Sequence, residues 1–362
     1  MKSTEKSAQF SKPIAVGIDL FAGVGGMTLG AQQAGIEVLY AVEYCRFAAA
    51  TYRLNFPNTE VYTGDIRDVC ALPKKPRKAR TIVFGGPPCQ GFSSSNQRTR
   101  NMMNPNNWMY LEFLRVAQIW DPDWIVIENV KGIGETMKGF FLAEIITALE
   151  LRGYTTTTKT LNAINYGVPQ RRERTFIFAS KSGKKISGPH KDSGSIVTVG
   201  DAINDLPDLK AGASVNELPH RKEATNGFVN ALRGNLNSVT GNLVTRNAPY
   251  IIARYQHVPQ GGNWKDIPIE LMRNYRDTSK CHTGIYRRLT ESEPSIVIGN
   301  FRKNMLIHPN QNRGLSVREA ARIQSVPDDF RFCGSIGFQQ QQVGNMVPPL
   351  LARSVFMEVM RA

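Results

Sequence analysis

The chain predicts an α/β protein: a mostly parallel, doubly wound sheet closed by an antiparallel hairpin, followed by a smaller loop- and strand-rich lobe. Three observations carry this. Short apolar, β-branched runs alternate with stretches of helical spacing through the first half, a glycine-rich turn follows the first run, and from about Lys181 the alternation gives way to Gly, Pro, Asn and Lys. Strand and helix in alternation argue for parallel strands covered on both faces.

Residues 14–21, 37–42, 60–63, 81–84 and 124–127 read as buried strands, and 28–34, 47–55 and 110–119 carry helical spacing between them. Two later runs, 155–162 and 174–179, are expected to close the sheet as an antiparallel pair. The organisation that follows is a polar tail over 1–12, a larger domain over 13–180, a lobe over 181–313 and a returning segment over 314–362. Within that last segment 316–324 reads as a helix and 347–360 as an amphipathic one.

With 362 residues, 41% hydrophobic and 21% charged, the chain has the composition of a globular protein. No apolar run reaches membrane-span length and no secretory leader is expected. The formal net charge of +15 favours a polyanionic partner, nucleic acid ahead of a membrane surface. The basic residues clump at 74–80, at Arg171-Arg172, at 181–191 and at Arg287-Arg288, although any one clump is more often a solvated loop. None of the five cysteines forms a C-x-x-C pair, so neither zinc nor a disulfide framework is indicated. Cys281-His282 lacks a second ligand pair, no metal is expected, and reduced thiols in the cytoplasm follow.

Asp19-Leu20-Phe21-Ala22-Gly23-Val24-Gly25-Gly26 ends a strand and opens a helix, where α/β sheets bind ligands. A dinucleotide fingerprint would place glycine where this chain has Thr28, which weakens a pyrophosphate reading. Glu43 ends the second strand, the place for a carboxylate that holds ribose hydroxyls. Asp65 follows the third, where it would accept from an adenine amino group while Ile66 packs on the ring. An adenosine pocket without a phosphate site suits S-adenosylmethionine.

After the fourth strand comes Gly85-Gly86-Pro87-Pro88-Cys89-Gln90-Gly91-Phe92-Ser93. Prolines stiffen this loop and glycines admit another molecule closely. An arbitrary cysteine is most often buried and inert, but one at a strand end beside a ligand cleft is a nucleophile candidate, provided the site supplies positive charge. The next strand ends in Glu128-Asn129-Val130, which puts Glu128 on the same rim as Cys89. In Gln170-Arg171-Arg172-Glu173-Arg174, alternation turns Arg172 and Arg174 to one side, where their guanidinium forks would grip a ring carbonyl. Arg171 reads as a phosphate contact or a solvated side chain.

In this order the blocks resemble the DNA cytosine-5 methyltransferase family, bacterial or phage type, over about 14–180 and 286–360. The Pro-Pro-Cys, Glu-Asn-Val and Gln-x-Arg-x-Arg blocks together are specific. Arg318 to Arg322 with Pro327-Asp328 resembles the segment linking two lobes, and Gly344-Asn345-Met346-Val347 the element that folds back on the cofactor. Met346 stands where the family usually has Ser, and Met109 where it often has Leu.

The resemblance implies the S-adenosylmethionine-dependent methyltransferase fold, with S-adenosylhomocysteine as product. It implies cofactor contacts at Phe21, Ala22, Gly23, Gly25, Gly26, Glu43, Tyr44, Asp65, Ile66, Pro87, Met109, Asn345 and Met346. Cys89 would add to carbon 6 of a flipped-out cytosine in double-stranded DNA, with Glu128 at ring nitrogen 3, Arg174 at oxygen 2 and Arg172 beside them. The 181–313 lobe would then recognise the target sequence. The family includes both solitary enzymes and partners of a separately acting restriction endonuclease, and the sequence does not choose between them; a monomeric state and a nucleoid location are expected. Residues 257–264 read equally as a groove-entering loop or as a turn with Trp264 packed beneath it. The rivals are a tRNA methyltransferase of the same fold, whose Cys-Phe-Thr segment is absent here, and a silent binding relative, which the retained Cys89, Glu128, Arg172 and Arg174 oppose.

Overall fold

A computed structural model of the chain describes residues 14–88, 108–192, 194–275 and 282–362. Cys89, Cys281 and the polar tail lie outside them. Seven strands form the main sheet: β1 (Ala15–Leu20), β2 (Ile36–Glu43), β3 (Glu60–Thr63), β4 (Arg80–Gly85), β5 (Trp124–Val130), β6 (Thr155–Asn162) and β7 (Glu173–Ser180). Their spatial order is β3-β2-β1-β4-β5-β7-β6. β1 to β5 pair in parallel, whereas β7 runs antiparallel to both β5 and β6. The expected hairpin therefore closes the sheet.

Alternation along the strands sorts side chains into two cores. Val16, Ile18, Leu20, Val83, Ile125, Ile127 and Ile177 face one side and pack with α3 (Met109–Trp120) and α4 (Phe140–Glu150). Ala15, Ile82, Phe84, Val126, Phe176 and Phe178 face the other, under α1 (Gly26–Gln33) and α11 (Pro349–Arg361). The period-two pattern thus builds a three-layer body with the C-terminal helix as part of one outer layer. β1 touches both β2 and β4, so the chain reverses direction of travel across the sheet there, and a crevice opens at the carboxyl ends of those strands.

Beyond the sheet the chain is largely loop, with short helices more prominent than strands. It contains α5 (Val199–Ile203), β8 (Glu217–Pro219), α6 (Gly227–Arg233), β9 (Ser238–Thr240), α7 (Pro249–Gln256) and α8 (Phe301–Asn304). β8 and β9 form a separate antiparallel pair. The helices went unread because segments this short carry too few turns to show a period. A small core of Ile251, Tyr255, Val258, Ile267, Met272, Tyr286 and Ile307 belongs to this region alone. Among the described residues no helix is long and apolar enough to cross a membrane.

A fourth core joins α2 (Arg46–Asn55), through Ala48, Tyr52 and Phe56, to α5, α9 (Val317–Ile323) and α10 (Ile336–Asn345). Beside it, buried charges lock the late segments together. Arg322 donates to both oxygens of Asp328 at 2.6 and 2.5 Å and to both of Asp205 at 3.2 Å. Arg318 donates to the carbonyls of Thr240, Pro327 and Phe330. His220 Nε2 lies 3.0 Å from Asp328. Glu319 takes a two-pronged bond from Arg313 at 2.7 and 2.8 Å. Burial works against the Glu319 carboxylate, yet Arg313 outweighs it and holds the group down at about 2.

Two consequences can be measured. Arg322→Met removes the shared guanidinium partner of two buried carboxylates and should destabilise the protein by about 3–5 kcal/mol in urea unfolding. Glu319 has its pKa depressed in the folded state, so its stabilisation is complete above the unfolded value and is lost as pH falls toward about 2. Glu319→Gln should therefore flatten the fall in melting temperature that the wild type shows from about pH 4.5 downward.

Candidate active site

The carboxyl ends of β1, β2, β4 and β5 border one cleft of about 1310 Å³. On its β1–β2 side the turn from Phe21 to Gly26 runs under the opening. Phe21 adopts φ 58, a left-handed conformation unusual for a bulky residue and of the kind that collects at ligand sites. Gly25, at φ 89, has no room for a side chain, since a Cβ there would lie 2.2 Å from the Phe56 ring. The turn points its Gly23 N–H at Glu43 Oε2 (2.7 Å), while Cys45 N–H takes Oε1 (2.7 Å). Burial raises the Glu43 carboxyl and these backbone donors oppose that shift. The result is an oriented acid facing the cleft, suited to accept from a diol.

Phe21, Ala22, Gly23, Gly26, Glu43, Tyr44, Pro87, Asn345 and Met346 line the cleft, with Tyr44 at its rim, 76% exposed. Met346 is buried, and its side chain fills the space a Cβ on Gly26 would need. A packing contact thus stands where the family usually has a serine hydroxyl. Asp65, Ile66 and Met109 are arranged differently. Ile66 is buried in the sheet core, and Met109 packs against that core. The Asp65 carboxylate receives Arg67 Nε at 3.0 Å and its Nη2 at 2.5 Å, bonds that hold it down at about 2. An incoming amino group meets Asp65 only through the lone pairs Arg67 leaves.

On the β4–β5 side the register explains the chemistry. Gly85 pairs with Ile127, so Gly86 lies opposite Glu128, and a Cβ on Gly86 would fall 2.8 Å from Glu128 Oε2. Asn129 Nδ2 donates to the Pro87 carbonyl at 3.2 Å and anchors the stiff loop that leads to Cys89. Val130 pairs with Arg174 across the antiparallel strands, which makes Glu128 the diagonal neighbour of Arg174 on the same face. Arg174 Nε meets Glu128 Oε1 at 2.8 Å, both side chains largely shielded. Burial lowers the Arg174 pKa, and Glu128 counters it. A guanidinium can donate to a ring carbonyl, and a carboxyl group beside it can share one proton with an adjacent ring nitrogen.

Arg172 does something else, which corrects the expectation that both forks grip the ring. It is 2% exposed, with Nη1 donating to the Ile298 carbonyl (2.9 Å) and Nη2 to the Gly344 carbonyl (3.1 Å). Its terminal nitrogens hold backbone, so it is a positioning residue. Gln170, given no role from sequence, works beside it. Its Oε1 accepts from Ile298 N–H (3.0 Å) and its Nε2 donates to Gln324 (3.0 Å), which in turn donates to the Val343 carbonyl (2.8 Å). Only the recurrence of Gln and Arg in one block hinted at this. Arg171 is exposed at the cleft edge. Residues 257–264 form the packed turn: Trp264 lies half-buried against the small core, and Gly261 and Gly262 are pinned by backbone bonds to Arg288. Among the described residues no group of three or more His, Cys, Asp or Glu is placed to hold a metal.

The C-5 cytosine-specific DNA methylase family matches residues 16–361. Type II methyltransferase M1.HphI of Haemophilus parahaemolyticus is 37% identical over 95% of this chain and 86% of its own. Type II methyltransferase M.AgeI of Thalassovita gelatinovora is 32% identical over 93% and 97%. Among solved structures, a prophage-encoded E. coli protein described as a DNA modification methyltransferase superposes with a TM-score of 0.77. The two are 25% identical over 96% of this chain and 99% of that one.

Arg172→Met would leave two buried carbonyls unpaired, at about 1–3 kcal/mol each. Amide exchange at Met346, whose N–H bonds Gln342 O, should then speed up roughly tenfold or more relative to the β1 amides. Unchanged exchange would remove Arg172 from the support of this segment.

Proposed function

The chain belongs to the C-5 cytosine-specific DNA methylase family, and we propose that it methylates carbon 5 of a flipped-out cytosine within a specific duplex DNA sequence. The observation that carries this is the shielded Glu128–Arg174 pair, set against the Pro87-Pro88 loop on the rim that also holds Glu43. One wall of the cleft suits an adenosine ligand and the other a pyrimidine edge, and Cys89 follows Pro87-Pro88 in sequence.

S-adenosylmethionine fits the first wall through Glu43, the Phe21–Gly26 turn and Asn345, and when bound it supplies an electrophilic methyl group. The chain's own residues do the rest. The Cys89 thiolate bonds to carbon 6, and the ring's electron pair moves toward carbon 5. Glu128 hydrogen-bonds ring nitrogen 3 and Arg174 oxygen 2, so charge arriving on the ring meets preorganised partners in a shielded site. Once carbon 5 is methylated it loses its proton, the bond to Cys89 breaks, and the aromatic double bond returns. A base inside a duplex cannot reach such a site, and extruding it costs a few kcal/mol. The net charge of +15 and the exposed Arg171 at the cleft edge offer phosphate contacts that offset this.

The 181–313 region, with its own small core, is the part we assign to target-sequence recognition. Pairing with a separately acting restriction endonuclease is consistent with the relatives named Type II methyltransferases.

The test is base-resolution 5-methylcytosine sequencing of DNA from a methylation-free host that expresses the wild type or Cys89→Ser. One short sequence methylated by the wild type alone is the expected result, with DNA binding retained by the variant; methylation by Cys89→Ser near the wild-type level would refute the nucleophile. Glu128→Gln should lower kcat by about 10²–10⁴ with a much smaller change in DNA affinity.

A further inference from the structure

A second carboxyl group faces the cleft beside Glu43. Asp19, near the end of β1, is 1% exposed and lines the cavity. Among the described residues its side chain has one hydrogen-bond partner, Thr28 Oγ1 at 2.7 Å, and that hydroxyl lies 2.6 Å from the Tyr52 hydroxyl. Among the described residues it makes no ion pair with a cation. Glu43 on β2 carries like charge, Tyr52 on α2 is a buried phenol, Arg174 across the cleft is paired with Glu128, and Arg172 holds backbone carbonyls.

Two carboxylates on one wall, without a counter-charge, cannot both ionise cheaply. Burial first of all, and then the Glu43 charge, raise Asp19 to about 8 against the opposing Thr28 bond. The hydroxyl pair tolerates either state. Tyr52 donating to Thr28 and Thr28 to Asp19 serves the carboxylate, and the reversed chain serves the acid.

We propose that Asp19 is a carboxylic acid while the cleft is empty and becomes the counter-ion of the methyl donor's positive charge when the donor binds, so that the cleft favours the cationic donor over its neutral product. The inference rests on the cofactor reading above. In the binding step the Asp19 O–H bond breaks, its electron pair stays on the carboxylate, and the proton leaves to solvent. S-adenosylmethionine carries an ammonium, a carboxylate and a sulfonium; S-adenosylhomocysteine lacks the sulfonium and is neutral overall.

Titration calorimetry of the full chain with each ligand, in two buffers of different ionisation enthalpy, counts the protons. At pH 7 the donor should release most of a proton, since a group at about 8 is mostly protonated there, and the product clearly less. Asp19→Asn should abolish the difference and reduce the preference for donor over product by roughly tenfold. Thr28→Val keeps the carboxyl but removes its bond, and should move the pH midpoint of release upward. No release, equal release with both ligands, or release unchanged in Asp19→Asn would overturn the proposal. Failure of the wild type to bind either ligand would instead overturn the cofactor reading, and this proposal with it.

An independent check uses the ligand-free protein. A carboxyl raised in the folded state holds its proton longer than the unfolded chain does, so stability falls as pH rises from about 4 to about 8. Asp19→Asn should remove that slope; a slope identical to wild type would count against the neutral acid.

Discussion

One guanidinium group, Arg172, holds three distant stretches of chain in register: the start of β7, the segment at Ile298 and the end of α10 at Gly344. A buried charge facing only carbonyls is costly in isolation, and burial pushes the Arg172 pKa well down. The arrangement persists because nothing smaller spans those carbonyls with a rigid fork. It works together with a backbone crossing in which Gly344 lies so close to Gly299 that a Cβ would sit 2.1 Å from the Gly299 carbonyl oxygen. Arg174, two residues along, faces the opposite wall of chemistry. The two walls of the cleft are therefore set by neighbouring residues of one strand edge.

Most of the sheet was legible because its central strands are buried on both faces and read as apolar runs, which marked them within a residue or two. The exception is β5, which runs three residues further than its apolar run; β3 and β6 are only partly buried. Glu43 and the glycine turn were legible for a related reason: strand ends and turn residues carry strong local signals. The α10 helix was not. Its Gln339 to Gln342 run has no apolar period, and its polar side chains find partners such as Thr51, Thr245 and the Cys333 and Gly334 carbonyls only in the folded state. Alternation placed Arg172 on the cleft side, but spacing cannot reveal that distant carbonyls take both of its forks. Likewise the bond between Arg67 and Asp65, two residues apart, depends on a short turn with no pattern of its own.

Basic residues show the same limit from another side. The formal charge suggested an outward face for a polyanion, yet Arg254, Arg288, Arg313, Arg318 and Arg322 are buried. Arg288, half of an expected phosphate clump, donates to the carbonyls of Val258, Tyr255, His308 and Gln311. In a region with few strands and short helices, loops leave many carbonyls without ladder partners, and arginine forks satisfy several at once. Charge here does the work that regular secondary structure does in the sheet.

The C-terminal helix lies against α1, and Met346 and Val347 press on Gly26 at the head of that helix. During synthesis these partners leave the ribosome some three hundred residues apart. One whole face of the sheet, with Phe84, Val126, Phe176 and Phe178, has to wait without its α11 cover while the intervening loops are made. Over that interval the nascent chain shows apolar surface of the kind chaperones hold. Its ligand cleft gains the wall formed by Asn345 and Met346 only after those residues are made, so a product truncated before them would leave the ribosome without a complete site.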